Sequence, residues 1–157
     1  MAAAALQTVD HSALKVNQAG IIVTVLVAFV GSAFFRPALV LIPLLAIVLL
    51  LGTFAPQLAL FKQLYFKVLK LRGIVKPRPV QDRPEPHNFA QGLGGVFLAI
   101  SSVFLYAGTP TYGYALLVIG LALALLVAVL AFVNFAFGYC LGCQIYYQLG
   151  KRGLIRA

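Results

Sequence analysis

The chain has 157 residues, of which 62% are hydrophobic and only 10% charged, with a mean hydropathy of +1.01. No water-soluble arrangement of this size hides so much apolar side chain, so the composition excludes a soluble globular domain and points to an integral membrane protein. Twelve Lys and Arg against three acids leave a formal charge of +9. The acids Asp10, Asp82 and Glu85 lie beside basic residues outside the apolar runs, so the positive excess suits an anionic membrane surface rather than nucleic acid or an acidic substrate.

Residues 1–15 are Ala-rich and then polar. They lack the basic n-region, short apolar core and cleavage site of a removed signal peptide, so the N-terminus is expected to be retained. Residues 16–35 carry no charge and match the roughly twenty residues of helix that cross a bilayer. Arg36-Pro37 closes this run, and a second, residues 38–55, begins at once, which predicts a tight hairpin. Pro43 predicts a kink in the second span.

In residues 57–72, Lys62, Gln63, Lys67 and Lys70 share one sector of a helical wheel, while Phe61, Leu64, Tyr65, Val68 and Leu71 fill most of the rest. That pattern predicts a helix lying in the membrane interface, with a plain extension of the second span as the alternative. Residues 73–87 hold prolines at 77, 79, 84 and 86 and read as a semi-extended connector without helix. From Asn88 to Gly150 there is no charged side chain, and Gly108-Thr109-Pro110-Thr111-Tyr112-Gly113 is the turn-like cluster inside that stretch. It divides a third span, residues 88–107, from a fourth, residues 114–137. The expected fold is a single all-α integral membrane domain, residues 1–157: a bundle of four transmembrane helices followed by a C-terminal tail, residues 138–157.

Basic residues counted by loop set the orientation. The first hairpin turn has Arg36 and the second none, whereas Lys15, the seven from Lys62 to Arg83, and Lys151, Arg152 and Arg156 share the other side. The positive-inside rule then places both termini and the connector in the cytoplasm of a bacterial inner membrane. Tyr106, Tyr112 and Tyr114 would mark the outer interface, and Tyr65, Tyr139, Tyr146 and Tyr147 the inner one.

The halves echo each other. Asn17-Gln18-Ala19-Gly20 opens the first span as Asn88-Phe89-Ala90-Gln91-Gly92 opens the third; Gln63-Leu64-Tyr65-Phe66 matches Gln144-Ile145-Tyr146-Tyr147, and Leu71-Arg72-Gly73 resembles Lys151-Arg152-Gly153. Each half reads as a helix hairpin followed by an interfacial tail, and two crossings per half make the repeats parallel. The positions matching Cys140 and Cys143 are Ala59 and Lys62, so the cysteines belong to one half only.

Cys140 and Cys143 form a C-x-x-C pair, and two cysteines are too few for a secreted disulfide scaffold. At the cytoplasmic surface the pair is expected to be reduced. If the fourth helix continues through Gly150, Cys140, Cys143, Gln144, Tyr147 and Lys151 share a face, and Gly138 and Gly142 form a G-x-x-x-G pair. The thiols would then sit near a helix C-terminus, the unfavourable end of its dipole, and reactivity would need cations such as Lys151, Arg152 or the central lysines. Three readings stay open. A redox pair attacks and resolves disulfides or persulfides. A metal site with Cys140, Cys143, His11 and His87 needs those four ligands gathered or shared between protomers. Two buried, inert thiols need no function. His11 and His87, each just before a span, are proton shuttles or ligands on one reading and headgroup-contacting loop residues on the other. Asn134 is expected to bond across helices. No phosphate loop, Ser-His-Asp set or zincin helix is present, and no span holds an acid of the kind that couples proton or cation transport.

Asn17-Gln18 near the first span, Arg83-Pro-Glu-Pro-His-Asn-Phe-Ala-Gln91 before the third and Gly138-Tyr-Cys-Leu-Gly-Cys-Gln-Ile-Tyr146 after the fourth resemble the bacterial membrane family catalogued as domain of unknown function 4395, over nearly the whole chain. The resemblance implies a small multi-pass protein associated with thioredoxin-like or rhodanese-like sulfur-handling partners, and it supplies no catalytic residues. The expected function is therefore thiol or sulfane-sulfur exchange at Cys140 and Cys143 with such a partner, a quinone being one conceivable acceptor. A non-catalytic subunit of a larger membrane complex and a small-solute permease are the alternatives.

Overall fold

The computed structural model describes residues 7–55, 59–108 and 114–153. A short strand, β1 (Gln7–Asp10), leads into helix α1 (His11–Phe34). After Phe35 a 3-10 segment, Arg36–Val40, passes into α2 (Leu41–Phe54). A short α3 (Leu60–Leu64) continues as a π-helical turn, Tyr65–Leu69. Strand β2 (Pro79–Asp82), α4 (Pro84–Ala107), α5 (Tyr114–Phe137) and α6 (Leu141–Lys151) follow. Among the described residues four helical stretches are long and apolar enough to cross a membrane: His11–Phe34, Arg36–Phe54, Pro84–Ala107 and Tyr114–Phe137.

Two starts fall earlier than the sequence suggests. Helix α1 begins at His11 because Asp10 caps it, its side chain accepting from the Ser12 N–H at 3.0 Å. Helix α4 begins at Pro84, inside the stretch read as helix-free. Pro84 and Pro86 fall in its first turn, where a missing N–H leaves no hydrogen bond unmade. Pro43 lies inside the continuous helical stretch Arg36–Phe54, just after its 3-10 part gives way to α2.

The connector is also more ordered than expected. Strand β2 pairs antiparallel with β1, Gln7 opposite Asp82 and Asp10 opposite Pro79. This ribbon ties the segment before α1 to the segment before α4. Asp10 accepts from the Arg78 N–H at 3.1 Å and from the Tyr65 hydroxyl at 2.8 Å, and Ser12 Oγ donates to the Lys76 carbonyl at 2.7 Å. Tyr65, expected at the membrane interface, is fully buried beneath the ribbon. Lys62 is half-buried and reaches Asn88 Oδ1 at 3.4 Å, and burial pushes its ammonium pKa down. Leu64, Phe66, Val68 and Leu71 remain exposed around them, an apolar surface of the kind an interfacial helix presents.

Within the bundle, α4 packs between α2 and α5, and α5 packs on α1. Small residues set these distances. A side chain at Gly92 would meet Thr53, one at Gly95 would meet Leu49 and Leu50, and one at Gly120 would meet Leu105. Ser101 Oγ, fully buried, donates to the Gly120 carbonyl at 2.6 Å and pins α4 to α5. Ile21, Val25, Ala28, Ile42, Leu45, Leu49, Leu98, Val127 and Ala131 are among the core side chains. Val23, Val30, Ile47, Val103 and Val129 are more than half exposed on the outside, as lipid-facing positions are.

The halves pack alike. Tail α3 lies on α1 and tail α6 on α4, so each rests on the first span of its own half. Ala59 is the N-cap of α3 as Cys140 is of α6, and each tail closes on a glycine of positive φ, Gly73 at 66° and Gly153 at 72°. The expected turn at residues 109–113, with Tyr112, lies outside the described residues, as do residues 1–6, 56–58 and 154–157.

Candidate functional site: a disulfide at a helix N-terminus with a histidine pair

The fourth span does not run on through the cysteines. Gly138 takes φ +69°, a conformation costly for any residue with a Cβ, and its N–H caps α5 by donating to the Asn134 carbonyl at 2.9 Å. A new helix, α6, then starts with Cys140 as its N-cap. The expected continuity with the fourth span and the G-x-x-x-G pairing are overturned by this break, while Cys143, Gln144, Tyr147 and Lys151 keep their helical spacing within α6. A side chain at Gly138 would meet nothing within 4 Å among the described residues, while Gly142 lies directly against Ala90 and lets α6 dock on α4. The Phe89 and Tyr146 rings, 5.5 Å apart, complete that contact.

The break also reverses the electrostatics. Cys140 and Cys143 occupy the positive end of the α6 dipole, which favours a thiolate, rather than the C-terminal end of α5. Cys140 Sγ accepts from the Cys143 N–H at 3.2 Å. Lys151 and Arg152, named as the needed cations, lie at the far end of α6, roughly 16 Å away along an eleven-residue helix. They are exposed and play no part at the sulfurs.

Cys140 and Cys143 are joined in a disulfide, with Cα atoms 5.2 Å apart, where reduced thiols were expected. A bridge across two intervening residues closes too short a loop to constrain an unfolded chain much. Cys143 is buried, at 8% exposure, and Cys140 is half-exposed.

His87 Nδ1 lies 3.7 Å from Cys143 Sγ. Its other nitrogen, Nε2, lies 3.0 Å from Asp82 Oδ2, and His11 Nε2 approaches the same oxygen at 3.3 Å. A carboxylate only accepts, so Asp82 holds the proton of His87 on Nε2 and turns Nδ1 toward the sulfur. The two rings stand edge to face with centroids 6.0 Å apart. Burial works to raise the Asp82 pKa, but hydrogen bonds from His87, the Arg83 N–H and His11, with the His87 charge, outweigh it and hold the carboxyl below its usual range.

The four metal ligands named from the sequence do not converge as a set. His87 and the two sulfurs lie within 4.8 Å of one another, while His11 groups with Asp82 and His87 instead. Reduction of the disulfide would leave a Cys-Cys-His set, one ligand short of a closed tetrahedral site. Asp82 was read as a surface charge; its signal was its position five residues before His87, which became legible only once the ribbon brought His11 beside it.

Beneath Cys140 a half-open cavity of about 90 Å³ lies among all four spans. Its polar lining is Asn17, Gln18, Gln91 and Asn134, and among the described residues no charged side chain lines it. Gln91 Nε2 donates to the Leu49 carbonyl at 3.1 Å. Asn17, Gln18 and Asn134 have no side-chain hydrogen-bond partner among the described residues, and Asn17 is 4% exposed. The expected interhelical bond from Asn134 is therefore not made among these residues. Asn17-Gln18, Gln91 and Cys140, which come from the three separate stretches that suggested the family, all line this one cavity.

No curated protein and no solved structure matches the chain. The family described as domain of unknown function (DUF4395) matches residues 9–151, from the end of β1 to the last residue of α6, and the chain belongs to that family.

Proposed function

We propose that this membrane protein exchanges disulfides for dithiols at Cys140 and Cys143. The observation that carries the reading is the Cys140–Cys143 disulfide at the N-terminus of α6 with His87 Nδ1 3.7 Å from Cys143 Sγ. An incoming thiolate attacks the more accessible Cys140 Sγ, the S–S bond breaks, and Cys143 leaves with the electron pair as a thiolate beside His87 Nδ1, which relays a proton from solvent to it. The partner's second thiolate then attacks its own sulfur in the mixed disulfide and releases Cys140 as a thiolate, held by the α6 N-terminus. The net change is one partner dithiol oxidised and one Cys140–Cys143 disulfide reduced; the reverse sequence oxidises this protein. A thioredoxin-like or rhodanese-like protein is the partner type, supported by the bond class exchanged and by the family resemblance.

The distribution of Lys and Arg supports a cytoplasmic location for this end of the bundle, in the inner membrane of a bacterium. Maleimide labelling of Cys140 in a Cys143→Ser protein should then succeed in inverted vesicles and fail in intact cells with an impermeant reagent. For the chemistry, the disulfide form of the protein should trap a mixed disulfide at Cys140 with a reduced thioredoxin variant that keeps its attacking cysteine and lacks the second. A couple that no thiol reduces, in detergent or in lipid, would overturn the reading.

A further inference from the structure

We infer that the cavity beneath Cys140 is a quinone site: it admits the carbonyl edge of a membrane quinone, which accepts electrons from the reduced Cys140–Cys143 couple. This rests on the thiol exchange proposed above and names the co-reactant that would return the couple to its disulfide. The cavity is lined by Cys140 itself, so a carbonyl edge seated in it lies against that residue.

The lining selects the chemistry. With no charged side chain, the site offers nothing to balance an ionic solute, and at membrane depth an ion would be left uncompensated. A purely apolar ligand would leave Asn17, Gln18 and Asn134 without partners. A neutral molecule with carbonyl acceptors satisfies those amides and tolerates the flanking Ile21, Phe97 and Val127. Asn17 lies six residues into α1, roughly 9 Å along the helix from its start. Leu130 and Leu141, both exposed, line the cavity and give its mouth an apolar edge.

Size fixes the mode of entry. The enclosed space of about 90 Å³ is smaller than the ~150 Å³ that houses a whole benzene ring. The ring therefore enters edge-on, one carbonyl inside and the remainder in the open mouth. The reaction balances: the Cys140 and Cys143 thiols lose two protons and two electrons and form the S–S bond, and the quinone gains them and leaves as hydroquinone.

The test uses the full chain in lipid discs free of quinone, reduced, and mixed anaerobically with decylubiquinone. The expected result is one hydroquinone and one new disulfide per chain. Asn17→Leu should raise the quinone concentration for half-maximal rate by about tenfold or more. Gln18→Leu, at a more open position, serves if Asn17→Leu does not fold, as judged by its unfolding midpoint. Equilibrium dialysis of decylubiquinone against the Cys140→Ser/Cys143→Ser protein isolates binding from chemistry, and saturable uptake of one per chain is expected. If the couple exchanges with thioredoxin but decylubiquinone neither oxidises it nor binds beyond lipid partition, the quinone site falls and the exchange stands. Saturable binding to a protein whose cysteines react with no thiol and no quinone would overturn both.

Discussion

At the scale of single residues, the proposed exchange divides between His87 and the two cysteines. His87 is placed to carry a proton to and from Cys143, so His87→Ala should slow dithiol exchange by about a hundredfold, the lower end for a removed acid-base group. Stopped-flow reduction by dithiothreitol checks this. Asp82 touches no sulfur among the described residues and acts by positioning His87. Asp82→Asn should slow exchange by a smaller factor and shift the His87 ring-nitrogen NMR signals toward a mixed tautomer, a change that loss of packing alone does not produce. Asp10 belongs to the ribbon rather than to the disulfide. Burial works to raise its pKa, but hydrogen bonds from the Arg78 N–H, the Tyr65 hydroxyl and the Ser12 N–H, with the Lys70 charge, lower it overall. Burial, with the Asp10 hydrogen bond and charge, raises the Tyr65 pKa in turn. A depressed carboxyl stabilises the fold fully above its unfolded pKa of about 3.9, and that contribution disappears as pH falls through the lower folded value. Unfolding midpoints in detergent should therefore drop with acid below about pH 4, and Asp10→Asn should flatten that limb. Tyr65→Phe, which removes one donor to Asp10, should cost about 1–2 kcal/mol at neutral pH.

At the scale of elements, the break between α5 and α6 decides what the cysteines can do. Gly138→Ala meets no neighbour within 4 Å, so its effect is the backbone cost of a left-handed residue, about 1–2 kcal/mol by denaturant unfolding. Gly142→Val has a different cause and a different consequence: its side chain would collide with Ala90, lift α6 from α4 and part Cys143 from His87. Exchange should slow toward the His87→Ala rate, while the four spans, held by contacts elsewhere, keep their helix content by circular dichroism. The same element-level comparison explains the repeat. Ala59 and Cys140 cap equivalent tails, but the first tail has no sulfur, and its Lys62 meets Asn88 where Cys143 meets His87. One tail props the ribbon, and the other carries the disulfide on which the proposed exchange rests.

At the scale of the whole molecule, the spans are close-packed inside and apolar outside. Val23 and Val25 lie two residues apart near the middle of α1, yet Val23 is 59% exposed and Val25 is 1% exposed. Val23→Lys should disfavour membrane integration by about 2.5–3.5 kcal/mol in an insertion assay, whereas Val25→Ala should integrate normally and lose about 1 kcal/mol or more of bundle stability through its lost contacts. By itself the sequence determined the four spans and the hairpin pairing, because uninterrupted apolar length is a one-dimensional property. It also determined the family, through short motifs that survive without coordinates. Only the tertiary structure decided the site. The left-handed turn at Gly138 moved the cysteines from the end of one helix to the start of another. The β1–β2 ribbon brought His11 and Asp82, seventy-one positions apart, to His87. The packing of four helices gathered Asn17, Gln18, Gln91 and Cys140 around one cavity. Each of these depends on contacts between residues far apart in the chain, and periodicity, which compares only near neighbours, carries no record of them.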